Sequence, residues 1–248
     1  MSYRVLTLDD VPKAAVTLVE AFTEDALAKL ITCHIHDKKK RVYCETLLYE
    51  AYLRQHILTG LVIGCNELSD KFETVAMWSL PDSMEKGLET FSTLMKSGYQ
   101  KVWEVVEDEG REKVFEGMLP LLHDTCERIM STDVRFKHKN LYTLVYLGST
   151  REARGKGNVR RMFDYMFDKY IDQDPNSLAY LESSSPSNIP IYNKFGFFFY
   201  EDIMLGEKGP GAIEGTDYAI MNVMIRSYKG LDWQKIDSAS EQQTVSKL

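Results

Sequence analysis

The stretch Leu141-Tyr-Thr-Leu-Val-Tyr-Leu147, then Gly148-Ser-Thr-Arg-Glu-Ala-Arg-Gly-Lys-Gly157, then Asn158 to Tyr170 decides how this 248-residue chain is read. An apolar run of strand-forming residues enters a glycine-containing basic loop. Beyond the loop, apolar residues at Val159, Met162, Phe163, Met166, Phe167 and Tyr170 fall at the spacing of one buried helix face. Between Arg151 and Arg161 there are five basic residues and one acid, although the whole chain carries a net charge of −7. Gly155 and Gly157 can adopt backbone angles closed to other residues and let a ligand approach the main chain. The helix opens out of this loop with unpaired N–H groups and the positive end of its dipole. Strand, basic loop and helix start together make an anion site that suits a pyrophosphate.

Two nucleotide-binding templates fail on this loop. A P-loop needs a glycine five residues after Gly148, where Ala153 stands, and a Lys-Ser or Lys-Thr pair that is missing. A dinucleotide fingerprint needs a third glycine where Arg160 stands. The remaining pattern, Arg154-Gly155-Lys156-Gly157-Asn158-Val159 after a strand, resembles motif A of the GNAT superfamily of acetyl-CoA-dependent N-acetyltransferases, [Q/R]-x-x-G-x-[G/A]. Arg154 and Gly157 match it, and Val159 stands in place of the small residue.

A second segment strengthens the resemblance. Tyr180-Leu-Glu-Ser-Ser-Ser-Pro-Ser-Asn-Ile-Pro-Ile-Tyr-Asn-Lys-Phe-Gly-Phe197 is similar to motif B of the small-molecule GNAT enzymes, with Tyr192 and Gly196 at the family spacing. The resemblance implies acetyl-CoA as co-substrate, bound by Leu147, Gly148, Ser149, Arg154, Gly155, Lys156, Gly157, Asn158, Val159, Ser185 and Asn188. By the same resemblance Tyr192 is the acid that protonates the leaving thiolate, and Trp78 lines the acceptor pocket. As plain residues, Tyr192 and Trp78 also read as core aromatics.

The expected fold is α/β of the α+β kind: a mixed, mostly antiparallel sheet of about seven strands flanked by helices. One domain is expected over 1–230, with a helical insertion at about 82–140 and a tail over 231–248. A charge balance of 30 basic against 37 acidic residues argues against nucleic acid and favours a cationic amine. No apolar run reaches the ~20 residues of a membrane span. Four scattered cysteines read as reduced thiols.

Along the chain, Tyr3–Leu8 reads as a strand, and Asp9-Asp10-Val-Pro12 as the start of a helix that buries Val16, Leu18, Val19 and Phe22. Cys33-His34-Ile35-His36 has ligand-type residues, but neighbours rarely converge on one ion and no second cluster completes a set, so no metal is expected. Asp37–Arg41 reads as a solvated turn before a helix over about 42–58. Leu61–Gly64 and Phe72–Leu80 form a hairpin. From Asp82 to Asn140 the apolar spacing is helical, through Leu88, Phe91, Leu94, Met95, Val102, Trp103, Val106, Val114, Met118, Leu121, Leu122 and Ile129. Phe197–Leu205 and Tyr218–Arg226 complete the sheet as a hairpin.

An alkylammonium near pKa ~10.4 must lose a proton before it can attack a thioester, which calls for a base. Glu182, on the strand before the short helix, is the candidate; a structural role as acceptor for backbone N–H groups is the alternative. No cysteine lies in either motif, so no acyl-enzyme is expected. Three functions remain open: a small-molecule N-acetyltransferase, a protein lysine or N-terminal acetyltransferase, and a non-catalytic acyl-CoA-binding protein. The oligomeric state is not legible. The final Ser246-Lys247-Leu248 reads as a peroxisomal import signal at a free C-terminus, with the import receptor as partner. Removing these three residues is expected to leave a fluorescent fusion in the cytosol; persistent peroxisomal puncta would assign import to another segment.

Overall fold

The computed structural model describes residues 2–235; the Ser246-Lys247-Leu248 signal lies outside the described residues. Seven strands form one sheet in the order β1-β2-β3-β4-β5-β7-β6. They are β1 Tyr3–Val5, β2 Leu61–Glu67, β3 Phe72–Ser79, β4 Asn140–Ser149, β5 Ser177–Ser183, β6 Phe198–Gly206 and β7 Tyr218–Arg226. Every neighbouring pair is antiparallel except β4 and β5. That parallel pair needs a crossover, and the helix predicted after the basic loop supplies it.

Alternation along the strands sends apolar side chains to both faces. One face carries Ile63, Ala76, Trp78, Leu144, Ala179, Leu181 and Met224, and is covered by the crossover helix α8, Asn158–Lys169, through Met162, Phe163 and Met166. The other face packs against α1 Val11–Phe22, α2 Ala26–Thr32 and α3 Lys38–Thr59, and against the helices between β3 and β4. Those helices are α4 Phe91–Ser97, α5 Tyr99–Val105, α6 Glu107–Arg111 and α7 Leu119–Thr132. A π-helical stretch, Glu112–Met118, joins α6 to α7 just before Pro120, whose ring nitrogen cannot donate to the helix.

Several boundaries differ from expectation. The first strand is three residues long, and Val16 is exposed, because α1 turns Ala14, Ala15 and Leu18 to the sheet. The run Asp37–Arg41 is not a turn: the Asp37 carboxylate accepts the Lys40 N–H at 2.8 Å, so α3 starts at Lys38. Phe91, Met95 and Trp103 lie on exposed sides of their helices. The folded unit passes residue 230, since Trp233 is buried and its Nε1–H donates to the Ile225 carbonyl at 2.9 Å.

Gly148 belongs to the core. A Cβ there would meet Leu18 Cδ2 at 2.8 Å and Ala21 Cβ at 3.0 Å, so its bare backbone sets how closely α1 approaches β4. Gly148→Val is expected to destabilise the fold by about 1–3 kcal/mol, lowering Tm by several degrees in thermal unfolding. An unchanged Tm would show that α1 does not bear on this strand.

Candidate active site

The β4–β5 pair stops early. Its parallel register runs from Asn140↔Ser177 to Leu144↔Leu181. Beyond that point β5 stays with β7, through Glu182↔Val223 and Ser183↔Asn222, while β4 stays with β3, from Met77↔Tyr146 to Thr74↔Ser149. Val145 is an extra residue in β4, between Leu144 opposite Trp78 and Tyr146 opposite Met77. The strands therefore part, and the later half of β4 has no partner on its β5 side. The Thr150 N–H donates to the Glu73 carbonyl at 2.9 Å. By antiparallel alternation Gly148 and Tyr146 also face β3, which leaves the N–H groups of Leu147 and Ser149 directed into the gap.

The basic loop closes one end of this gap. Gly155 and Gly157 have φ of 79° and 82°, and a Cβ on either would meet nothing within 4 Å, so each borders open space. Gly157 caps α8, whose first amides, including those of Asn158 and Val159, have no helical acceptor. The Arg154 N–H donates to the Arg151 carbonyl at 3.3 Å, while its exposed side chain makes no hydrogen bond or ion pair with the described residues. Arg160 lies over the Phe195 ring at 5.2 Å. Open glycines, free amides and basic side chains at one helix start fit a pyrophosphate-bearing co-substrate.

The polar side chains of Lys156 and Asn158 are committed elsewhere. Lys156 Nζ reaches Glu73 at 2.8 Å, and buried Asn158 donates to Glu73 at 2.9 Å and to Thr74 Oγ1 at 3.2 Å. Asn66 adds a third donor to Glu73 at 2.7 Å. The bonds from Lys156, then Asn158, then Asn66 hold the Glu73 carboxyl down at about 2. The Lys156 N–H also donates to the Ala153 carbonyl at 3.3 Å, so of the two only Asn158 has a free backbone N–H for a ligand, with the loop tied to β3 through Glu73. Val159 packs its side chain against the core beneath α8.

A cavity of about 610 Å³ lies beside the gap, against the sheet face that carries α3 and α7. Glu182, Tyr192, Asn188 and Leu147 all line it, so β5, the short helix α9 (Ile189–Asn193) and β4 converge there. The Glu182 carboxyl is surrounded by protein, and burial pushes its pKa up to about 7, against a smaller opposing effect of Tyr180. Burial, with a smaller effect of Asp25, pushes Tyr192 up to about 12. The Tyr192 ring is held edge-on to Phe163 and by Phe197. This arrangement places a carboxyl that titrates near neutrality and a protonated phenol on one cavity.

Not every residue singled out by sequence meets there. Trp78 is 1% exposed on the opposite face, edge-on to Phe163, so it is a core residue and not part of the cavity wall. Ser185 Oγ pairs with Ser187 Oγ at 2.8 Å, and Ser149 Oγ with Thr74 Oγ1 at 2.6 Å. His34 donates from Nε2 to the Val106 carbonyl at 2.8 Å.

Sequence reading missed other cavity residues. Asp25 caps α2 by accepting the Ala28 N–H at 3.0 Å, takes a hydrogen bond from Ser184, and has its pKa raised by burial. Tyr49, Tyr52 and His56 of α3 line the cavity with Tyr146. Tyr146 packs edge-on to both Tyr49 and Tyr52, with ring centroids 5.4 and 5.1 Å away. Their spacing of three and then four residues along α3 was the available signal.

No known family profile matches the sequence. An uncharacterised N-acetyltransferase of Schizosaccharomyces pombe is 30% identical over 205 residues, which cover 83% of this chain and 77% of that protein. Among solved structures, a histone acetyltransferase HPA2 and related acetyltransferase from Corynebacterium glutamicum is similar with a TM-score of 0.56 at 17% identity, over 90% of this chain and 94% of that one. A polyamine N-acetyltransferase of Drosophila melanogaster, which forms N-acetylagmatine, also has a TM-score of 0.56, at 9% identity over 91% and 99%. At such identities these structures share the fold alone. Motifs, sheet topology and a relative alike over most of both lengths lead to one assignment: this chain belongs to the GNAT superfamily of N-acetyltransferases, and is an acyltransferase.

Proposed function

We propose that the protein transfers an acetyl group from acetyl-CoA directly to a primary amine of a small molecule. One observation carries this reading. The gap between β4 and β5 adjoins a cavity of about 610 Å³ with Glu182 and Tyr192 in its lining, a volume in the range of small-molecule sites. The inserted segment before β4 supplies part of the wall, through Leu88, Leu119, Leu122 and Cys126.

Acetyl-CoA, when bound, supplies the thioester. The amides at the start of α8, with Gly155, Gly157 and Arg154, bind the pyrophosphate, and the unpaired edge of β4 meets the pantetheine arm. Glu182 takes a proton from the acceptor ammonium; with a pKa of about 7 it is a competent acceptor at and above neutrality. The N–H groups of Leu147 and Ser149 donate to the carbonyl oxygen as it gains negative charge. Tyr192, held protonated throughout the physiological range, gives its proton to the departing thiolate sulfur.

Free-thiol release from acetyl-CoA across a panel of small amines tests the reading, and absence of release with every amine would refute it. Tyr192→Phe is expected to lower kcat tenfold or more while acetyl-CoA affinity, measured by calorimetry, stays nearly constant. Unchanged kcat would remove Tyr192 as the acid.

The pH dependence of Glu182 has a definite sign. Below about pH 7 the carboxyl is protonated and cannot act as base, so wild-type kcat/KM should rise through pH 7. Glu182→Gln should flatten that limb, with the largest loss above pH 7, about 10²-fold or more. Because folding raises this pKa from its ordinary 4.5, stability falls as pH rises from 4.5 to 7. The Gln variant should therefore unfold at a higher temperature than wild type at pH 8. A profile and Tm equal to wild type would overturn the role of Glu182 as a buried base.

A further inference from the structure

The far end of the cavity contains polar groups that the acetyl-transfer steps do not use. His56 is 3% exposed and lines the cavity. Its Nδ1 lies 2.8 Å from the Tyr52 carbonyl, which can only accept, so Nδ1 bears the proton and Nε2 carries a lone pair. Burial lowers the His56 pKa to about 4, so the ring stays neutral when the enzyme works. Among the described residues Nε2 has no hydrogen-bond partner, yet it is not sealed in the core. Tyr49 and Tyr52, 4% and 5% exposed, also line the cavity, and their hydroxyls make no hydrogen bond to the described residues. Gln55, between Tyr52 and His56 in the chain, has both ends occupied, by the Leu88 carbonyl and the Tyr99 hydroxyl.

Tyr49, Tyr52 and His56 face one cavity from one helix. Tyr49 lies within electrostatic reach of Asp25 and Tyr52 within that of Glu182, and His56 follows Tyr52 by about 6 Å of helix rise, so His56 is the member of the three farther along α3 from those two carboxyl groups. The charges along the cavity are of mostly one sign: Asp25, Glu89, Glu127 and Glu182 line it against Lys139, with His123 at hydrogen-bond range of Glu89. The Nε2 lone pair opens to the cavity, where water can meet it, so a ligand that displaces that water loses affinity unless it brings a donor of its own. A carboxylate on the ligand would meet that lone pair and those acids, whereas an N–H or O–H group would satisfy it.

We propose that the His56 end of the cavity is a second acceptor subsite, which takes a hydrogen-bond donor carried at the end of the acceptor remote from the amine that is acetylated. The acceptor is thus a linear bifunctional amine: its reacting nitrogen lies by Glu182, and its far ammonium or hydroxyl donates to His56 Nε2. The inference rests on the amine-acetylation reading above and narrows it to a substrate class.

The test compares kcat/KM for four acceptors of matched chain length: an n-alkylamine, an ω-amino alcohol, an α,ω-diamine and an ω-amino acid. Wild type is expected to prefer the diamine and the amino alcohol over the alkylamine by about tenfold or more, with the amino acid poorest. The order of those two preferred acceptors tells whether the natural far group is an ammonium or a hydroxyl. His56→Phe should bring the preference close to one, and His56→Gln, which keeps an acceptor oxygen, should restore part of it. Ratios taken within one variant cancel any loss of folded enzyme, and if His56→Phe does not fold, His56→Leu, which also removes the lone pair, takes its place. An alkylamine used as well as the diamine and the amino alcohol would overturn the subsite and leave the amine-acetylation reading intact. A preference that survives His56→Phe would also overturn it and assign selectivity to the carboxylates. Failure of every amine would overturn both readings.

Discussion

The whole site depends on β4 having a hydrogen-bonded partner on one side only after Leu144. Buried backbone groups are rarely left unpaired, and here two neighbouring strands make opposite demands. β3 keeps β4 straight through Ser149 across the Val145 bulge, while β7 draws β5 away at Glu182 and Ser183. The amides of Leu147 and Ser149 are consequently unsatisfied by the sheet and available to a ligand. The gap is a product of register, and no side chain in it needs to be unusual.

Two further constraints convert the gap into a site. Glu73, held ionised by Lys156, Asn158 and Asn66, ties the basic loop to β3, so that the open glycines and the start of α8 face the same space as the unpaired edge. Glu182, the first β5 residue past the last β4 pair, is left beside the cavity without a cation to stabilise its charge, and burial raises its pKa to about 7. A carboxyl placed in this way opposes folding above its ordinary pKa, and it gains a proton affinity suited to deprotonating an ammonium at neutral pH.

Local patterns were read well where the chemistry is local. The strand, glycine loop and amphipathic helix from Leu141 to Tyr170, and the Glu182-to-Tyr192 spacing, are contiguous in the chain and keep their relation in the fold. Residues whose surroundings come from distant parts of the chain were read incompletely. Gly148 was read with the ligand loop, and the fold adds that its bare backbone makes room for Leu18 and Ala21. Trp78 looked like a pocket residue, but strand alternation turns it toward Phe163 on the far face. Lys156 and Asn158 were read as cofactor-binding residues, and the fold adds that their side chains are bonded to Glu73.

By itself the sequence determined the order of the strands and the crossover helix, the glycine-containing basic loop and the membership of Glu182 and Tyr192 in one short segment, because each of these rests on spacing within a few helical turns or strand residues. Only the tertiary structure decided that β4 and β5 part beyond Leu144, that α3 brings Tyr49, Tyr52 and His56 to the same cavity, and which polar side chains remain unpaired there. Those facts depend on which strand pairs with which and on what each helix covers, and such long-range pairings leave no periodic trace in the chain.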